Sequence, residues 1–183
     1  MKYEDIETPE QLYIYMKNNI KYGFVSKKDK KKYIRKELNN DELYEKELVH
    51  HYYLQRPEEL QTTKCGLCYD QVEYERKWFL SHNYEVKTYF TSYHNHVFLI
   101  YKEENNYCFF ERTCKETSGI YKRRTLKEVL NLYKEQQIKI NTEITKNNIV
   151  LYEYKSIKYG SSFDEIIKIY KNHMWDLTSK KNF

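Results

Sequence analysis

The chain has 183 residues, a net charge of +5 and 21 tyrosines, but only four glycines and two prolines. This length suits one domain, so we expect residues 1–183 to fold together. No stretch approaches the roughly 18 apolar residues of a membrane span, and the acidic start MKYED has no apolar signal core. We therefore expect a cytoplasmic protein with no membrane partner, whose four cysteines are reduced.

The first sixty residues are predicted to be largely helical. Thr8, Pro9 and Gln11 form the pattern of an N-cap, a first-turn proline and a capping-box side chain, which predicts a helix to about Ile20. A second helix is predicted over 41–55, followed by a further helical turn after Pro57. The region between them, with Gly23 and the lysine run, is predicted to be a loop.

The basic run at 27–32, with the sequence KKDKKK, supplies five positive charges. Such a run favours either an anionic partner or simple solvation. It is not interleaved with aromatic residues in the manner of a base-stacking surface. We interpret it as a solvated loop, which disfavours a nucleic-acid partner. A steep loss of affinity with salt would indicate the opposite.

The remaining elements divide into a core and a C-terminal part. The core over 64–135 and the segment 149–183 contain helices predicted at 68–81, 125–140 and 162–173 and strands predicted at 84–93, 96–101, 107–112 and 149–154. This order lacks the βαβ alternation of a parallel sheet. It predicts an α+β fold in which a core helix packs on an antiparallel sheet.

Cys68 is the candidate nucleophile. It is predicted to lie in the first turn of its helix, with Gly66 in the tight approach to it. A thiol reacts as its thiolate, which the unpaired N–H groups and dipole of a helix N-terminus favour. The thiol then needs a base within hydrogen-bond reach and a third group that orients the base.

His96 and Glu111 are the candidate base and orienting acid. A turn centred between Glu103 and Glu104 would pair them directly across two antiparallel strands, about 5 Å apart at Cβ. Phe98 and Phe109 would then lie on the same face and keep the pair dry. His94 lies two residues from His96, so spacing alone does not choose between the two histidines.

These segments together resemble the transglutaminase-like superfamily, which has a papain-like cysteine enzyme fold. The similarity rests on GLCYDQVEYER at 66–76, HVFLIY at 96–101 and YCFFE at 107–111. They are most similar to a group of small bacterial transglutaminase-like proteins with CWDQVELER at the nucleophile. The resemblance spans about 22–132 and implies that Cys68 is the nucleophile, His96 the general base and acid, and Glu111 the orienting carboxylate. The superfamily commonly has Asp at the third position, so Glu111 adds a methylene.

The oxyanion hole is less evident in the sequence. The backbone N–H of Cys68 is the first candidate donor, and the amide of Gln61 or a tyrosine hydroxyl is the second. Gln71 and Glu75 are interpreted as packing or supporting residues of the helix.

Three other functions remain open. Cys65 and Cys68 form a C-x-x-C typical of a redox dithiol. A thioredoxin-like fold needs a cis-proline downstream of this motif, whereas both prolines of the chain lie upstream of it. A zinc site from Cys65, Cys68, Cys108 and Cys114 would have only one short-spaced knuckle. A non-catalytic binding module with this fold is the third.

The sequence thus predicts a cysteine-dependent hydrolase or acyl-transferase that acts on an amide or peptide through a thioacyl intermediate. We expect a peptide or protein substrate and neither a metal nor another cofactor. The sequence does not distinguish hydrolysis from acyl transfer, and it leaves the oligomeric state open.

Overall fold

A computed structural model describes residues 3–38, 40–92 and 95–179, with side chains up to residue 172. Its helices are α1 (Pro9–Asn19), α2 (Arg35–Leu38), α3 (Asp41–His51), α4 (Pro57–Thr63), α5 (Cys68–Ser81), α6 (Leu126–Ile140) and α7 (Phe163–Ser179). Its strands are β1 (Lys21–Val25), β2 (Lys32–Ile34), β3 (Cys65–Gly66), β4 (Glu85–Thr91), β5 (His96–Glu103), β6 (Asn106–Glu111), β7 (Gly119–Arg123) and β8 (Leu151–Tyr154). The α+β class is therefore confirmed.

The larger sheet has five strands in the order β7-β6-β5-β4-β8, and every neighbouring pair is antiparallel. Helix α5 packs on one face, where Phe79 stacks on Tyr101 of β5 with ring centroids 4.4 Å apart. Helix α6 covers the other face, where Tyr133 stacks on Phe98 at 4.2 Å. Because both faces are covered, β5 is a buried strand and shows no alternation of apolar and polar residues.

The predicted helix starts rest on side-chain caps that the structure contains. Thr8 Oγ1 accepts a hydrogen bond from the backbone N–H of Gln11, while Gln11 Oε1 accepts one from the N–H of Thr8, both at 3.2 Å. Thr125 and Glu128 make the same reciprocal pair at the start of α6. These bonds satisfy N–H groups that have no partner within the helix.

A second, three-stranded sheet in the order β2-β1-β3 was not predicted. β1 runs parallel to the two-residue strand β3, with Tyr22 paired to Gly66, whereas a loop was predicted for the segment that contains Gly23. The sheet escapes prediction because its strands are short and its pairing joins distant parts of the chain. Helix α3 also ends at His51, earlier than the predicted residue 55, because Tyr52 is already extended. Strand β7 was missed as well.

Helix α5 is largely enclosed, with ten of its fourteen residues buried. The buried positions include the carboxyl groups of Asp70, Glu73 and Glu75, each 1 % exposed. Glu73 is paired with Arg76 one turn later, at 2.7 Å. A buried carboxyl group needs such a partner or has to be neutral. The surroundings of Asp70 and Glu75 are described with the site at the start of the helix. None of the described helices is long and apolar enough to cross a bilayer.

The chain is tightly packed where β3 leads into α5. A Cβ atom built on Gly66 would lie 2.7 Å from Leu60 Cδ1 and 2.8 Å from Asp70 Cβ. Neither neighbour is free to move, because Leu60 is fully buried and Asp70 belongs to α5. Only glycine fits at this position, which explains the glycine two residues before Cys68.

Gly66→Ala is accordingly expected to destabilise the protein by about 2–3 kcal/mol, because the added methyl group overpacks the core. Gly160→Ala is the control. Its Cβ would meet nothing within 4 Å and only the φ of +85° opposes it, so a loss of about 1 kcal/mol is expected. Denaturant unfolding measures both, and an equal loss in the two variants would contradict the packing argument.

Candidate active site

Cys68 is the first residue of α5, as the sequence predicts. The residue before it, Leu67, has no side chain able to cap the helix, and Asp70 takes over that task. Asp70 Oδ2 accepts a hydrogen bond from the backbone N–H of Leu67 at 2.8 Å. The side-chain amide of Gln71 donates to the carbonyl of Gly66, also at 2.8 Å. The turn that presents the thiol is thus held by side chains of its own helix.

Asp70 also ties this turn to the preceding segment of the chain. Its other oxygen, Oδ1, accepts from the backbone N–H of Gln55 at 2.8 Å, and the Gln55 side chain donates to the carbonyl of Cys65 at 2.8 Å. Burial raises the pKa of Asp70 to about 7, although the hydrogen bonds from Gln55 and Leu67 act in the opposite direction. One carboxyl group therefore joins two loops beneath the nucleophile.

His96 and Glu111 are hydrogen-bonded, with Nε2 of the imidazole 2.7 Å from Oε2 of the carboxylate. The pairing that led to this expectation was nevertheless wrong. The turn of the hairpin is centred between Glu104 and Asn105, because Glu103 pairs with Asn106. Continued along the strands, this register places Glu111 opposite Phe98. His96 and Glu111 are diagonal neighbours and not directly opposed.

The two-residue offset preserves the face on which the side chains lie, since side chains alternate with a period of two. Phe98 and Phe109 do share one cluster with Tyr133 of α6, as predicted for the face that carries the pair. The turn differs from the prediction because Glu104 adopts a left-handed backbone, with φ of 53°, which allows a two-residue loop one position later. The predicted hydrogen bond between His96 and Glu111 is therefore present although the predicted register was wrong by two residues.

The second oxygen of Glu111 is fully used by the chain that follows β6. Oε1 accepts from the backbone N–H of Thr113 at 2.7 Å, from its hydroxyl at 3.0 Å and from the N–H of Cys114 at 3.0 Å. Glu111 itself is 2 % exposed. These bonds fix the orientation of the carboxylate. Its hydrogen bond to Nε2 in turn fixes the orientation of the imidazole.

The electrostatics of this pair favour its charged form. Burial on its own would lower the pKa of His96, but the charge of Glu111 and hydrogen bonds to Cys68 and Glu111 outweigh it, and the pKa lies well above the ordinary 6.5. Burial would likewise raise the pKa of Glu111, yet His96 and the N–H donors of Cys114 and Thr113 hold it below the ordinary 4.5. An imidazolium beside a thiol favours the thiolate.

The thiol and the imidazole are brought together by a bond between their two elements. The hydroxyl of Tyr69, next to Cys68, donates to the backbone carbonyl of Asn95, next to His96, at 2.7 Å. This bond draws the first turn of α5 to the start of β5. Cys68 is 4 % exposed and interacts with His96. The three predicted site residues thus form one cluster, while the alternative base His94 lies outside the described residues.

Tyr22 is a site residue that the sequence analysis did not identify. Burial of its hydroxyl raises the pKa of Tyr22 well above the ordinary value, and its interaction with Cys68 adds to the shift. The residue as a whole is 39 % exposed, so the ring is open to solvent at one side while the hydroxyl end is enclosed next to the thiol. The signal was missed because it depends on the parallel pairing of Tyr22 with Gly66.

Glu75 lies behind the pair and carries a second buried carboxyl. Burial, followed by the charge of Glu111, raises the pKa of Glu75 well above its ordinary value, while Arg112 and His96 act against this shift. Burial thus favours the neutral acid at Glu75 and leaves Glu111 as the carboxylate that faces the imidazole. The guanidinium of Arg112 is anchored elsewhere, by the carbonyls of Met16 and Ile20 at 3.2 and 2.6 Å.

Gln61, the candidate oxyanion donor, lies in α4 and is not among the residues that line the cavity at Cys68. The structure does not bring its amide to the thiol. The backbone N–H of Cys68 belongs to the first turn of α5, where no helical partner exists. Together with Tyr22, it gives the cavity two candidate donors.

The other cysteines are arranged differently from Cys68. Burial raises the pKa of Cys65 to about 12, and Cys108 is buried in the core beside α5. All four cysteines are free thiols. No group of three His, Cys, Asp or Glu side chains within the described residues is suited to hold a metal.

The thiol opens into a cavity of about 670 Å³, whose lining includes Cys68, Tyr22, His96, Thr113 and Lys115.

Comparison of the chain with models of known families, with curated proteins and with solved structures finds no significant match. What this site does must therefore be argued from its chemistry.

Glu111→Gln is expected to lower the pKa of His96, because burial of the imidazole is then opposed only by its interaction with Cys68. An NMR titration of the imidazole measures this change. The exposed substitution Glu143→Gln is the control and leaves that titration unchanged. A His96 pKa that is the same in Glu111→Gln as in the wild-type protein would contradict the assigned cause.

The same variant tests the pH dependence of stability. His96 has a raised pKa, so its contribution is fully present below about pH 6.5 and is lost as pH rises through the raised value. Glu111 has a lowered pKa, so its contribution is present above about pH 4.5 and is lost as pH falls. The loss of unfolding free energy in Glu111→Gln should be about 2 kcal/mol near pH 5.5 and smaller near pH 9.

Proposed function

We propose that the protein is a cysteine-dependent hydrolase or acyl-transferase of the transglutaminase-like kind, acting on amides or peptides through a thioacyl intermediate. The observation that carries the proposal is the hydrogen bond between His96 and Glu111 beside a thiol at a helix N-terminus. The order nucleophile, base and acid along the chain agrees with the resemblance of the three segments to that superfamily. A cytoplasmic location is part of the same proposal.

The first half of the reaction forms the thioester. The Cys68 thiolate attacks the carbonyl carbon of the amide, and the carbonyl oxygen takes the negative charge. The N–H of Cys68 and the hydroxyl of Tyr22 donate to that oxygen. When the carbon–nitrogen bond breaks, the His96 imidazolium gives its proton to the departing amine. The products are a thioester, which contains the new carbon–sulfur bond, and a free amine, which carries the proton from His96.

The second half releases the acyl group. Neutral His96 accepts a proton from water or from a primary amine as that molecule attacks the thioester carbonyl. The carbon–sulfur bond breaks and the thiolate returns, with the imidazolium again held by Glu111. Attack by water gives a carboxylic acid, and attack by an amine gives a new amide.

A redox role for Cys65 and Cys68 is less well supported. A dithiol exchanges through thiolates, and burial raises the pKa of Cys65 to about 12. Cys65 is also fully buried, which withholds it from an incoming disulfide. Cys65 therefore lacks the accessible, acidic thiol that the second member of a redox dithiol needs.

Limiting iodoacetamide at neutral pH is expected to modify Cys68 before Cys65, Cys108 and Cys114, because burial raises the pKa of Cys65 and of Cys108 and the sulfur of Cys114 contacts the carboxylate of Glu116 in place of an imidazolium. Preferential labelling of Cys65, Cys108 or Cys114 would contradict the assignment. Peptide mass mapping identifies the modified residue. His96→Ala is expected to slow the labelling of Cys68 by tenfold or more, since it removes the neighbouring imidazolium. Faster labelling of Cys65 would revive the dithiol interpretation.

Incubation with glutamine-containing peptides, with and without a fluorescent primary amine, is expected to release ammonia and to form a Cys68 thioester detectable by mass spectrometry. Cys68→Ala abolishes both, and Glu111→Gln lowers the rate by about 10²-fold or more. Cys108→Ala, which removes a core thiol, is the matched control and retains the rate. A folded protein that forms no thioester with any amide would instead be a binding module.

A further inference from the structure

A second cavity of about 920 Å³ adjoins the one that holds the thiol. The two share Tyr22, Arg35, Lys36, Thr113 and Lys115 as common walls. Tyr22 stands at the boundary, with its hydroxyl directed to Cys68. A molecule held in the second cavity therefore lies next to the reacting carbonyl, and the volume is within the roughly 300–1,000 Å³ range of sites that bind small ligands.

The charges around this second cavity are strongly one-sided. Six cationic side chains line it, namely Lys17, Lys21, Arg35, Lys36, Arg112 and Lys115, against the single carboxylate of Glu37. The thiol cavity is more balanced, since its lining adds Glu45 and Glu116. A cleft lined by one sign of charge concentrates ligands of the opposite sign.

Three of the six cations are already engaged. Lys21 pairs with Glu37 at 2.8 Å, and Arg35 pairs with Asp41 at 3.0 Å. Arg112 donates to two carbonyl groups at the end of α1. Their charges are partly offset, and their positions are fixed before any ligand arrives.

Lys17, Lys36 and Lys115 are different. All three are exposed, and none belongs to a salt bridge within the described part of the chain. They come from three separate elements, α1, α2 and the segment after β6. The ammonium group of Lys17 lies over the ring of Tyr13, 6.0 Å from its centroid, a contact that leaves its N–H groups able to bind an incoming anion together with those of Lys36 and Lys115.

The floor between these lysines is apolar. Ile20 and Ile34 are buried beneath the cavity, and the ring of Tyr13 is fixed by a 2.7 Å hydrogen bond to Ser118. A ligand that suits both parts carries negative groups at its edge and an uncharged backbone at its centre. A short peptide with acidic side chains has this character.

We propose that the second cavity is a substrate subsite that binds acidic residues flanking the amide on which Cys68 acts. This inference rests on the proposed function, because the thioacyl reaction requires an amide and thereby favours a peptide over a nucleic acid as the anion. The subsite sets the preferred substrate class: peptides with glutamate or aspartate close to the reacting residue.

The test measures binding with Cys68→Ala, so that it does not depend on turnover. The probes are fluorescein-labelled peptides in which three glutamates lie before or after a central glutamine, and matched peptides in which glutamine replaces the glutamates. Fluorescence anisotropy at low and high salt gives the affinities. At least one glutamate peptide is expected to bind about tenfold more tightly than its match, with the difference shrinking at high salt.

Lys17→Gln, Lys36→Gln and Lys115→Gln combined are expected to remove that difference, because they delete the three ammonium groups of this cavity that are in no salt bridge. Lys127→Gln, Lys139→Gln and Lys168→Gln combined delete three exposed lysines that line neither cavity and are expected to keep it. Equal binding of the matched peptides, or equal loss in the two triple variants, would overturn the proposal. So would tighter binding of a single-stranded oligonucleotide that the first triple variant abolishes.

Failure of the subsite and failure of the enzyme are distinguishable. Loss of the glutamate preference with a normal Cys68 thioester would leave the catalytic proposal standing without the subsite. A glutamate preference without any thioester in the wild-type protein would make the cavity a peptide-binding site in a protein that is no enzyme.

Discussion

The buried carboxyl group of Asp70 is the constraint on which the candidate site depends. It accepts hydrogen bonds from the backbone of Gln55 and of Leu67, both at 2.8 Å. The two segments carry the approach to α4 and the turn into α5. A carboxyl group at the third residue of a helix can cap the N-terminus by accepting from the N–H of the residue before the helix, and here the same group also fixes where the preceding loop lies. The position of the thiol depends on that attachment, and Asp70 Cβ is also one of the atoms that leave no room for a side chain at Gly66.

The site contains two carboxyl groups in one buried region, and their surroundings favour a different protonation state for each. Glu111 is held ionised by His96 and by N–H donors, while burial favours the neutral acid at Glu75. Two ionised carboxylates at close range would repel each other and divide the imidazole between them. Because the environments differ, the imidazole has one charged partner and one orientation. Pairs of titratable groups with opposite shifts are a recurrent way to assign fixed roles to like residues.

The sequence predicted the parts of this protein whose determinants are local. Thr8 and Thr125 mark helix starts through side-chain caps, and the first turn of α5 was recognised from its own residues. The hairpin was predicted as a pair of strands. Its register depends on the left-handed backbone of Glu104, a conformation that a glutamate in the sequence does not indicate. Strands β1 and β3 and the role of Tyr22 were beyond reach, because they arise from a pairing between segments more than forty residues apart.

The diagonal relation of His96 and Glu111 gives a reason for the length of the acid. Diagonal neighbours across a sheet are about 7–8 Å apart, against about 5 Å for opposed ones, so the additional methylene of Glu111 makes up part of the distance. The length of the side chain and the length of the turn are therefore linked, although on the order of 20 Å of strand separates them. A one-residue deletion at Glu104 would direct Glu111 to the opposite face of the sheet. In evolution, the turn and the acid are expected to change together, and an aspartate would be accepted only with a rebuilt turn.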